Sequence, residues 1–255
     1  MKATIDLISK YDWTLVEVIQ WLDSNGHSDT KIRDKVDTML NFEKDLKKKI
    51  GARIKMKIKE AEAITHTLSK PGKMPGFAYS TPAHECKTGK KLRAIPNSVC
   101  SNCYAYLRGR YRFQNVIDAQ YKRFRSLTHP DWVEAMALQI NSKKVKYFRW
   151  HDSGDVQNLD HLRRIYAVCR LTPSVKHWMP TKEAWVKPYL KDKPKNLVVR
   201  LSSSMINQGR VKSWPNTSTV VTKKASCPAP KQGGQCLDCR KCWNPKIKNI
   251  SYGKH

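Results

Sequence analysis

The sequence predicts an α/β domain built on a parallel sheet, either a partial (β/α) barrel or an open sheet, preceded by a helical N-terminal appendage. Three observations carry this. Residues 1–70 hold helix-period apolar positions; the run Ser69-Lys-Pro-Gly-Lys-Met-Pro-Gly76 breaks that pattern; from Phe77 onward short apolar runs alternate with helix-like segments. Two regions follow, a helical one over 1–70 and an α/β one over 71–255.

In the first region Thr14 and Glu17 form a capping box ahead of Leu15, Val18, Ile19 and Leu22, and Asn25-Gly26 supplies a stop. A second helix begins near Ser28 or Asp29 with Ile32, Val36, Met39 and Leu40 on one face, and its continuation, Lys44 to Lys59, reads as a solvated basic face in preference to one that tracks phosphates. In the second region the strand candidates are Phe77–Ser80, Val145–Trp150, Val175–Met179, Leu197–Leu201 and Thr219–Thr222. Helix candidates are Tyr104–Leu127, Pro130–Asn141, Asn158–Arg170 and Lys182–Leu190. Strand alternating with helix implies parallel pairing through crossovers. Five strands are too few to close an eightfold barrel. Cysteines and polar residues follow the strands directly, at Cys86, His151–Asp155, Thr181, Ser202–Ser204 and Cys227, which gathers them at the carboxyl edge where such sheets place their sites.

Of the 255 residues, 40% are hydrophobic and 27% charged, a composition that buries a core beneath an ionic surface. No apolar stretch approaches the roughly 18 residues of a spanning helix, and the first residues lack a secretory pattern, so the expected location is the cytoplasm, with no membrane partner. The net charge of +28 calls for a polyanionic partner. It is concentrated: residues 1–70 hold 14 Lys/Arg against 11 Asp/Glu, and residues 71–255 hold 35 against 10.

Eight cysteines in a chain without a secretory signal suggest metal rather than disulfides. Cys169 lies alone in an apolar run and reads as a core thiol. The C-terminal set is Cys227-Pro228 followed by Cys236-x2-Cys239-x2-Cys242. Four thiolates with two consecutive x2 gaps are the ligand inventory of a [4Fe-4S] cluster, with tetrahedral Zn as the alternative. The earlier set, Cys86, Cys100 and Cys103, supplies three thiolates, to be completed by His84, His151 or an exogenous ligand, or left as an incomplete site. Three cysteines and an open iron are what S-adenosylmethionine radical chemistry requires, but the x13 gap between Cys86 and Cys100 departs from its usual spacing.

Trp150-His-Asp-Ser-Gly-Asp155 ends the central strand. His151, Asp152, Ser153 and Asp155 are candidate ligand-pocket residues; the competing reading is a strand-to-helix turn whose carboxylates cap backbone N–H groups. The stretch Tyr104–Phe113, continued by Tyr121–Arg125, interleaves cations with rings. Arg108, Arg110, Tyr111, Arg112, Lys122, Arg123 and Arg125 are therefore candidate contacts for single-stranded nucleic acid, whose phosphates need cations and whose unpaired bases stack. No phosphate-binding glycine loop is present.

Taken together, Cys86-Lys-Thr-Gly, Val99-Cys-Ser-Asn-Cys-Tyr-Ala105, Arg149-Trp-His-Asp-Ser-Gly-Asp155 and Cys239-Arg-Lys-Cys242-Trp243 resemble the bacteriophage gene-product-88-like proteins over roughly residues 76–250. The resemblance implies a phage protein acting in the host cytoplasm, with a partial barrel related in outline to radical S-adenosylmethionine enzymes. It also implies that the seven clustered cysteines belong to a family set. The expected function is an iron–sulfur protein that binds single-stranded nucleic acid; the alternative is a cluster-dependent enzyme of radical type acting on nucleic acid or a small anion.

Overall fold

The computed structural model describes residues 56–254 apart from Arg108. The expected helices of residues 1–55 lie outside the described residues. Upstream of the breaker cluster, helix α1 (Ile58–Thr65) already belongs to the α/β unit, packed against a later helix, α5 (Trp132–Ser142).

Six strands form one open parallel sheet in strictly sequential order: β1 (Phe77–Tyr79), β2 (Tyr147–Trp150), β3 (Lys176–Thr181), β4 (Leu197–Ile206), β5 (Thr217–Val221) and β6 (Asn249–Gly253). A doubly wound sheet reverses its order about a switch point; this one never does. All five expected strands are present. The sixth, β6, escapes sequence reading because Ile250 is its one fully buried apolar residue and no α-helix precedes it.

Two expected helices differ. The segment expected as one helix over Tyr104–Leu127 is split into α3 (Tyr104–Leu107), a 3-10 turn (Gly109–Arg112) and α4 (Gln114–Ser126). Gly109 takes φ +63 and Phe113 is extended, so neither continues an α-helix. The expected helix Lys182–Leu190 is a 3-10 segment, Ala184–Asp192, interrupted by Pro188, which has no N–H to donate. A short helix α2 (Lys87–Arg93) follows Cys86, and α6 (Leu159–Leu171) starts as expected, with Asn158 accepting the His161 N–H as its cap.

Alternation along the strands divides the sheet's two faces. Tyr79, Phe148, Trp150, Met179, Leu197 and Val199 join Trp132, Met136 and Ile140 of α5 and Leu162, Ile165 and Cys169 of α6 in the hydrophobic core. Cys169 is the core thiol that its apolar surroundings predict. The intervening residues Arg149, Trp178 and Arg200 meet the C-terminal segment instead. Trp243 donates its indole N–H to Phe148 O at 2.9 Å, and its ring lies 5.3 Å from Tyr147 and 5.4 Å from Trp178. Arg200, fully buried, donates to the carbonyls of Lys241, Cys242, Asn244, Ile247 and Thr217. This guanidinium fastens the cysteine-bearing segment to the sheet.

Candidate functional site at the carboxyl edge

Two groups of thiols form at and beside the carboxyl edge. In the first, Cys86 caps the start of α2, and Cys100 and Cys103 lie on the loop before α3. Gly89 makes room: a Cβ there would sit 2.9 Å from Cys86 Cβ, 3.6 Å from Cys100 Sγ and 3.7 Å from Cys86 Sγ. Burial raises the Cys86 thiol pKa, and the nearby Asp155, Cys103 and Cys100 add to the rise. Burial likewise raises Cys100 and is opposed by Lys182. Lys182 is itself pushed down by burial and held up by Cys100, Asp155, Cys103 and Cys86. Three thiols, a carboxylate and an ammonium thus form one electrostatic neighbourhood. His84 is exposed with its ring 4.5 Å from Tyr106, and His151 faces His161.

In the second group Cys227, Cys236, Cys239 and Cys242 line one small cavity with Pro228 and Trp243. Backbone bonds place them: Cys227 N–H donates to Ser251 O of β6, Cys236 N–H to Lys73 O, and Cys239 N–H to Cys236 O. Cys242 Sγ lies 3.2 Å from Tyr252 Oη; burial pushes this thiol up to about 11, while the Tyr252 hydrogen bond, Arg149 and Arg200 pull the other way. Arg149 of β2 stands beside this group, its guanidinium 4.7 Å from the Trp178 ring centre. Among the described residues, no three His, Cys, Asp or Glu side chains are grouped so as to hold a single metal ion.

Between β2 and α6, the loop His151–Asp155 mixes two roles that the sequence does not separate. Asp155 is structural: Oδ1 accepts from Val156 N–H and the Thr181 hydroxyl, and Oδ2 accepts from Lys182 N–H, which ties this loop to the end of β3. Gly154 has φ +84, and a Cβ there would lie 1.9 Å from Thr81 Oγ1, so only glycine fits. His151 is different. It is 2% exposed, takes φ +55, and both ring nitrogens lack a partner. Ser153 Oγ, Thr81 Oγ1 and Asp152 Oδ1 are also buried and unpartnered. Such atoms call for a ligand or ordered water. The other carboxylate oxygen of Asp152 accepts from Tyr111 Oη at 3.2 Å and faces Arg110 at 3.7 Å.

These environments give opposite variants different outcomes. Asp155→Asn replaces one acceptor oxygen by a donor facing N–H and O–H groups, so stability should fall by about 1–3 kcal/mol. His151→Asn keeps a planar polar side chain that tolerates the positive φ and breaks no hydrogen bond of the ring, so it should cost less melting temperature than Asp155→Asn while altering ligand binding. Equal losses of melting temperature in both variants would make His151 structural too.

The buried imidazoles also set a pH dependence. Burial depresses His151 well below the usual histidine range and lowers His161 and His177 to about 3. The unfolded chain takes up these protons near pH 6.5 and the folded one does not, so their contribution to stability is complete above pH 6.5 and lost as pH falls towards 3. Asp155, raised by burial to about 6, works in the opposite direction between about pH 4 and 6. Three histidines outweigh one carboxyl, and the urea midpoint should fall from pH 7 to pH 5; a rising midpoint would contradict these assignments.

The expected nucleic-acid residues divide. Arg110, Arg112, Lys122 and Arg125 are exposed, as are the rings of Tyr104 (44%) and Phe113 (64%), which neighbour Arg110 and Arg112 at the N-terminal end of α4. Tyr111 is half-buried on Asp152. Arg123 is withdrawn from any interface: it is buried, donating through Nε to Thr67 O and through Nη1 to Ser80 Oγ. Arg108 lies outside the described residues. Sequence reading missed Lys182, Arg149 and Arg200. The last two carry a signal, since a cation inside a strand of a parallel sheet sits where both faces are normally covered by apolar residues.

Fold and site together define a sequentially wound parallel α/β protein with two thiol groups along its carboxyl side. Residues 45–245 match the gene product 88 family, and the chain belongs to that phage family. No curated protein and no solved structure shows significant similarity to it. No helix among the described residues is long and apolar enough to cross a membrane.

Proposed function

We propose that this phage protein carries an iron–sulfur cluster on Cys227, Cys236, Cys239 and Cys242 and binds single-stranded nucleic acid in the host cytoplasm. The observation that carries the cluster is an all-thiol donor set lining one cavity on a segment pinned by Arg200. That chemistry suits a thiophilic iron cluster, and the two x2 gaps suit it better than zinc. When bound, such a cluster supplies structural closure or one-electron chemistry. The chain's own contribution is to hold the thiols, with Arg149 and Arg200 offsetting thiolate charge. Nucleic-acid binding is supported by exposed Arg110 and Arg112 beside the exposed rings of Tyr104 and Phe113, the pairing that single strands require.

A second reading rests on the first thiol group. Cys86, Cys100 and Cys103 cluster with Lys182 and Asp155 at the carboxyl edge, an arrangement suited to a three-cysteine cluster in a radical S-adenosylmethionine enzyme. Cleavage of S-adenosylmethionine by the reduced protein supports this second reading; its absence leaves the binding protein. For the first, labelled single strands should bind with little sequence preference, and the logarithm of the binding constant should fall with that of salt at about 0.7 per phosphate neutralised. Duplex binding of equal strength, or salt-independent binding, would point to another partner.

A further inference from the structure

We infer that a basic cleft on the helical layer, away from the thiols, seats phosphates of single-stranded nucleic acid. This inference rests on the binding reading above and assigns it a place. The cleft lies between α1, the C-terminal end of α4 and the loop leading to α5; it is an open groove of about 360 Å³. Lys122, Arg125, His66 and His129 line it with the hydroxyl residues Ser126 and Thr128, and no carboxylate does.

Lys122 and Arg125 are three apart on α4 and therefore neighbours on one face; both are exposed. The buried Arg123, between them in sequence, adds a third positive charge that acts on His66. Burial, then the charges of Arg123 and Lys122, depress His66, against a smaller opposing effect of Glu62. Glu62 lies 3.9 Å from Lys143, which offsets the one acidic influence on this histidine.

A repeating anion suits the place better than a single phosphate. The cleft sits at the C-terminal end of α4, and exposed Arg112 and Phe113 stand at its N-terminal end. Thirteen residues at a rise of 1.5 Å separate the two ends by about 20 Å. A strand of nucleotides can place phosphates in the cleft and a base on Phe113; a free phosphate cannot reach both.

The test uses the full chain, labelled single-stranded DNA and RNA, and fluorescence anisotropy across a salt series. The double variant Lys122→Ala with Arg125→Ala is compared with Lys187→Ala plus Lys191→Ala, which removes equal charge from exposed positions elsewhere. Losing two phosphate contacts should lower the slope of log K against log salt by about 1.4, at 0.7 per contact, and the control pair should leave it unchanged. Equal slopes in both double variants, or no change in either, would overturn the cleft while leaving the binding reading intact. A wild-type protein that binds no oligonucleotide would overturn both. Loss of binding to phosphatidylserine vesicles alone would assign the cleft to a membrane surface and also overturn the inference.

Discussion

Cys239→Ser should strip iron and acid-labile sulfide from anaerobically isolated protein and lower its melting temperature together. Serine nearly preserves the volume but offers a poor ligand, and metal binding that organises a segment contributes directly to folding stability. The segment from Cys227 to Cys242 contains only short 3-10 turns, so backbone hydrogen bonding alone gives it little cooperative structure. Cys103→Ser is the matched comparison. If it strips the sulfide and Cys239→Ser does not, the cluster belongs to the first thiol group. Stoichiometric zinc without sulfide in the wild type would replace the cluster by a tetrahedral site.

Arg200→Met should be among the most damaging single substitutions in the α/β unit, costing about 3 kcal/mol or more. Methionine fills much of the volume but donates nothing, leaving carbonyls of Lys241, Cys242, Asn244 and Ile247 without the charged donor they now share. Hydrogen bonds to a charged group contribute roughly 1.5–3 kcal/mol each and do not add fully. Because Cys242 lies within the fastened segment, metal content should fall even in the protein that remains folded. Urea denaturation with parallel iron analysis measures both; a loss under about 1 kcal/mol would show that the segment is held by Trp243 and β6 instead.

The C-terminal thiol segment is held by residues that no local motif announces. Cys236, Cys239 and Cys242 stand out along the chain by their spacing, but the segment's support comes from Arg200 on β4 and from Trp243 packed against Phe148 O and Trp178. Likewise the paired carboxylates of His151–Asp155 look equivalent along the chain. In three dimensions Asp155 is consumed by the Thr181 hydroxyl and the Lys182 N–H, and Asp152 is covered by Tyr111 and Arg110.

The α/β class, five of the six strands, the family, the core role of Cys169 and the carboxyl-edge position of Cys86 and His151 were legible along the chain. These follow from apolar periodicity, breakers and the order of residues along the chain, all of which are local. Tertiary structure alone decided that the strands run in sequential order, that β6 completes the sheet without a helical crossover, and that Arg123 is buried where the charge pattern places it on a surface. It also decided what surrounds the two cysteine sets that spacing already separates: Lys182 beside the first and Arg149 beside the second. The physical reason is the same in each case: a polar side chain's role is set by which distant donors, acceptors and charges surround it, and those partners lie tens of residues away along the chain.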